Sequence, residues 1–211
     1  MNAMLTAELP LPRCLYQGAD PRRHRRHLVD GVRIDPVAVD RFNHVLRQYA
    51  DTAPVLDADR LATAARELSS SDARGSTADC IRIRLFRVKA AQAMAADRTW
   101  QAPADVVVLV GSLIEQIRRG EHLLPGGLPR VGHLDDALLV ETAWPRLQSE
   151  TIAYADFHRL RRLACERGER ARFDREAWQR AREDEARLLA HERTSRESSY
   201  LAEPAPRFAI H

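Results

Sequence analysis

His122, His133, Asp135 and Asp136 are the residues whose types and spacing hold the most chemistry in this chain. They flank a Pro–Gly turn, and imidazoles combined with carboxylates make a set able to hold a hard or borderline divalent cation, the core of a metal-dependent enzyme. Asp135 and Asp136 also follow Gly132, where a helix should begin. At that place two carboxylates complement the helix dipole and accept from N–H groups that would otherwise lack partners. Neighbouring side chains on a helix point about 100° apart, so capping explains the pair more simply than joint ligation of one ion. No other part of the chain calls for a cofactor.

The remaining chemical candidates are thinner. His158 lies beside Asp156 and the run Arg159, Arg161, Arg162, where it could serve a metal or act as a general base, but it reads more simply as an exposed histidine on a charged helix. Cys14, Cys80 and Cys165 are widely spaced, form no C-x-x-C pair and fit reduced thiols in a cytoplasm. G-x-S-x-G, Walker, G-x-G-x-x-G and H-E-x-x-H patterns are all absent from the sequence. The enzyme reading therefore rests on the His/Asp cluster alone.

Charge narrows the choices further. The 211 residues include 33 basic and 30 acidic side chains, and every basic residue but Lys89 is arginine. Nearly matched charges fit a solvated, ion-paired surface, and an arginine-for-lysine bias follows from a GC-rich genome as readily as from phosphate recognition. The exception is the cluster Arg22, Arg23, Arg25 and Arg26, with His24 and His27 among them. No acid interrupts it, and it could contact a polyanion, either nucleic acid or an anionic membrane surface. No aromatic residue interleaves it for base stacking.

The elements that must position these groups follow from punctuation and periodicity. Residues 1–34 carry three prolines and no sustained apolar period, and read as a poorly ordered basic arm. Asp35-Pro36 and Leu56-Asp57 look like helix starts, each followed by apolar residues at helical spacing, which predicts a helical pair. Ser76-Thr77-Ala78-Asp79 has capping-box spacing before a segment in which Ile81, Ile83 and Leu85 alternate with arginines. The Ala-rich continuation to Ala96 decides for helix there. Pro103 opens a helix over Ala104 to Arg119, apolar on most faces as for a helix buried centrally in a bundle. Glycines and prolines from 120 to 129 forbid helix, periodicity resumes at Leu134, and Pro145 is expected to kink or restart the chain. From Ser149 to about residue 200 the sequence is long, charged and helix-forming, with Phe173-Asp174 repeating the cap arrangement. A tail follows at 201–211.

The central run His122-Leu123-Leu124-Pro125-Gly126-Gly127-Leu128-Pro129-Arg130-Val131-Gly132-His133-Leu134-Asp135-Asp136-Ala137, preceded by an apolar helix, resembles the core of the YkvA-like family of short bacterial proteins. That family carries P-I-D-L-I-P-D-F-I-P-x-x-G-x-x-D-D followed by a second apolar helix. Pro125, Pro129, Gly132, Asp135 and Asp136 fall in register with it. His122 and Gly126 stand where the family has acids, which removes two of its four carboxylates. The resemblance, near 103–141, implies a small helical bacterial module, often near or at a membrane, with no established activity.

The expectation is thus an all-α helical bundle: a helical core over 35–148 with a central helix, Pro/Gly turn and helix, and charged C-terminal helices over 149–200. Its function is read as a non-catalytic interaction module that meets a protein partner or a second copy through the C-terminal helices. Phe157, Leu160 and Trp178 are the candidate contact residues, although Trp144, Trp178, Phe157 and Phe173 read individually as packing residues. The N-terminus shows no signal-peptide pattern and no stretch reaches the ~20 apolar residues of a transmembrane span. A cytoplasmic location, with a peripheral place at the inner membrane, is expected.

Overall fold

The computed structural model describes residues 2–16, 28–70, 77–120, 123, 124, 128, 130–166, 168 and 173–201. The protein is all-α. Among the described residues the helices are α1 (Asn2–Thr6), α2 (Pro36–Tyr49), α3 (Ala58–Ser69), α4 (Asp79–Ala96), α5 (Ala104–Arg119), α6 (Leu134–Glu166) and α7 (Arg175–Leu201). A single two-stranded ribbon, β1 (Leu28–Val29) and β2 (Val32–Arg33), is the extended structure beside them. Two compact units are present, residues 1–156 and 157–211.

Three helix starts are built by the aspartates that the sequence nominates. Asp35 Oδ1 accepts from the Val37 N–H at 3.0 Å, Asp57 Oδ1 from Arg60 at 2.8 Å and Asp174 Oδ1 from Ala177 at 2.8 Å. Each satisfies an N–H group that the first turn leaves without a helical partner. The fourth start differs: α4 is preceded by Ala78, which offers no side-chain cap. Its N–H instead donates to the Arg130 carbonyl at 3.2 Å. Gly120 ends α5 in the left-handed conformation, φ 66°, which glycine adopts without a Cβ penalty.

In the first unit α2 and α3 are joined by one buried amide. Asn43 Nδ2 donates to the Leu56 carbonyl and its Oδ1 accepts from the Leu56 N–H, both at 2.8 Å. Trp100, fully buried after α4, packs edge-on against Tyr154 at 5.8 Å and donates from Nε1 to Glu150 at 2.8 Å, so the α4–α5 connection is held on α6.

Several expectations are corrected. The described part of residues 1–34 is not a loose arm: Leu5, Leu11, Leu15, Val29 and Ile34 are all buried. Asp30 and Gly31 take φ 47° and 82° between β1 and β2, the turn that an Asp-Gly pair between β-formers favours. α5 is not central, since Val107 and Val108 are exposed while Val106, Leu109, Val110 and Leu113 form its buried face. Pro145 does not end a helix. α6 continues through it and across the composition change at 148–149, and the boundary between compact units falls at 156–157 instead.

Candidate interaction surface

The Pro/Gly turn is tied to α6 by the two adjacent aspartates. Asp135 is buried, and its Oδ2 accepts from the Leu123 N–H at 2.7 Å while Oδ1 accepts from the Asp136 N–H at 3.0 Å. Asp136, also buried, meets His133 Nδ1 at 2.9 Å. Carboxylates in the first turn of a helix oppose its positive end, and the Leu123 bond converts that local preference into a link across the turn. Leu124, Val131 and Leu134 are buried around it. His122 lies outside the described residues. Among the described residues no three His, Cys, Asp or Glu side chains gather as a metal-holding group.

Arg130 joins the same turn to other elements. It sits at φ 70°, a conformation rarely adopted by a residue with a side chain, and its Nε donates to the Leu68 carbonyl in the last turn of α3 at 2.9 Å. With its own carbonyl receiving the Ala78 N–H, Arg130 pins the end of α3 and the start of α4 to the turn.

A second polar group was not anticipated from sequence. Arg84 and Arg87 of α4 are buried, where the arginines were read as solvated faces. Arg84 Nε donates to Glu141 Oε2 at 2.9 Å, and its Nη1 reaches the carbonyls of Leu9 and Cys80. Arg87 donates to the Ala7 carbonyl at 2.9 Å, approaches Glu141 at 3.6 Å and lies over the Trp144 ring at 4.8 Å. The guanidinium forks thus supply donors to carbonyls of the non-helical segment after α1, which has no ladder of its own. Burial, then the charge of Arg84, lowers the Arg87 pKa, while Glu141 opposes the shift. A cavity of about 160 Å³ beside this group is lined by Tyr16, Pro54, Glu141, Thr142 and Pro145. Partial loss of water and the Glu141 charge push the Tyr16 phenol up to about 12. The cavity is smaller than the ~300 Å³ at which small-molecule sites usually begin.

The larger concavity belongs to the second unit. A cleft of about 820 Å³ is lined by Leu160, Leu163 and Ala164 of α6, by Phe173, and by Ala177, Ala181 and Leu188 of α7, with Arg180, Asp184 and Glu185 at its polar edge. The hairpin around it is closed by a Phe157–Phe173 stack at 5.7 Å and by Arg159 to Glu185 at 3.2 Å. Residues 186–197 are exposed throughout, including Leu188 at 60% and Leu189 at 62%. At 27 residues α7 is about 40 Å long, with half of it uncovered.

The sequence-predicted contact residues divide here. Leu160 lines the cleft and Trp178 is half-buried, but Phe157 is fully buried and offers no surface to a partner. Leu188 and Leu189 were missed, because two leucines within a charged helix look unremarkable until the opposite side is known to be open. His158 has its ring 5.6 Å from that of Phe157, edge-on. The basic cluster Arg22, Arg23, Arg25 and Arg26 lies outside the described residues. Among the described residues no helix is long and apolar enough to cross a membrane. No protein-family model, curated protein or solved structure matches the chain.

Proposed function

We propose that this protein is a helical interaction module that takes a helix of another protein chain into the α6–α7 cleft. The supporting observation is the open apolar cleft continuing into an uncovered helix: Leu163, Ala177, Ala181 and Leu188 form its lining, and Leu188 remains mostly exposed. An isolated helical segment gains little from propensity alone and is stabilised mainly by packing an apolar face. Helix-in-groove recognition uses anchors at the spacing found here, where Ala177, Ala181 and Leu188 share one side of α7.

Co-purification of the tagged full chain from its own host tests this reading. Leu188→Glu and Ala181→Glu, both in the cleft lining, should lose the chains captured by the wild type, while Val108→Glu, at an exposed apolar position on α5, should keep them. Unchanged capture by the α7 variants would sink the proposal.

A further inference from the structure

Resting on the reading of the cleft as a helix-binding groove, we infer that its occupant is α7 of a second copy, packed antiparallel about a two-fold axis. The order of residue types along the lining is self-complementary. It offers a gap at the small residues Ala177 and Ala181, and a knob at Leu188 farther along the same stripe. Arg180 and Asp184, one helical turn apart, stand at its polar edge.

A two-fold axis crossing α7 between Arg180 and Asp184 brings Arg180 of each copy opposite Asp184 of the other, and the symmetry forms that pair twice. The same register lays Leu188 against the gap beside Ala177 of the second copy, and small residues there permit close approach of the helices. Arg187 then faces Ala177 and His191 faces Phe173, so no two like charges meet along the stripe. A parallel arrangement would instead set Arg180 beside Arg180 and Asp184 beside Asp184. An unrelated helix would have to carry its own acid, base and knob in reversed order, which the second copy supplies without further assumption. Asp184 keeps a weak contact with Arg187 at 3.5 Å, with both side chains more than 70% exposed, so it can turn to a new partner at little cost to the hairpin.

Sedimentation equilibrium of the full chain tests this with Arg180→Glu, Asp184→Arg and their equimolar mixture. The wild type should self-associate in the micromolar range, and each variant alone should associate at least about tenfold more weakly, because symmetry repeats its like-charge contact. The mixture should regain association, since the introduced glutamate faces the introduced arginine and the two native residues face each other. A wild type that stays monomeric at high micromolar concentration overturns the inference, as does a mixture no tighter than its components. If that monomer still loses its captured chains on Leu188→Glu, the second copy fails as occupant while the groove reading stands.

Discussion

Arg84 Nε donates to Glu141 Oε2 across 2.9 Å, from a side chain only 4% exposed, and so couples the middle of α4 to the second turn of α6. Arg87 shares the same oxygen at 3.6 Å. Removing the carboxylate would leave two guanidinium groups in a largely dry site. Glu141→Ala is expected to cost about 3–5 kcal/mol in urea unfolding, whereas Arg84→Met with Glu141→Leu should cost less than the sum of its parts. Additive losses would show that the pair is not coupled.

The Asp135 carboxylate holds the turn by accepting from the Leu123 N–H. Asp135→Ala should destabilise the protein by about 1–3 kcal/mol and speed hydrogen exchange at the Leu123 amide, with the same loss in chelator as in added divalent metal. A stability difference between those two conditions would favour metal ligation over capping for these carboxylates.

Arg130 combines left-handed backbone with two long-range bonds. Arg130→Gly relieves the backbone cost but removes the bond to Leu68, while Arg130→Ala loses the bond and keeps the strain. Thermal denaturation should therefore rank wild type above Arg130→Gly and Arg130→Ala lowest, the two variants separated by about 1 kcal/mol. The reverse order of the variants would remove strain from the account of this turn.

Cys80 is buried, Cys14 half-buried and Cys165 exposed, and burial is the leading cause raising the thiol pKa of both Cys14 and Cys80. Alkylation of the native protein near neutral pH should label Cys165 first, followed by mass spectrometry to read the sites. Because folding favours the protonated thiols, their contribution to stability is full below the ordinary thiol value and is lost as pH rises through the raised one. Early labelling of Cys80 would contradict its placement.

The legible parts of the fold were those written in local chemistry. Asp35, Asp57 and Asp174 announce their helices through short-range bonds, and Gly120 announces an end. The Asp30-Gly31 turn was equally local, but the prolines and arginines around it obscured the signal. What stayed hidden depends on distant partners. α4 has no single apolar face because Arg84 and Arg87 are buried on it, and their acceptors at Leu9, Ala7 and Glu141 come from remote parts of the chain. Pro145 similarly failed to break α6, since packing along the helix outweighs one missing hydrogen bond. The site was half legible: composition pointed to the C-terminal helices, yet Phe157 went inside and Leu188 stayed out.

Hydrogen–deuterium exchange along α7, at low and high micromolar protein, reads the central claim most directly, because it reports on the helix itself. The account predicts that amides from Ala177 to Leu188 become more protected as concentration rises, and that Arg180→Glu removes this dependence. Protection of those amides that does not change with concentration, alone or with the host protein's partners present, would contradict it.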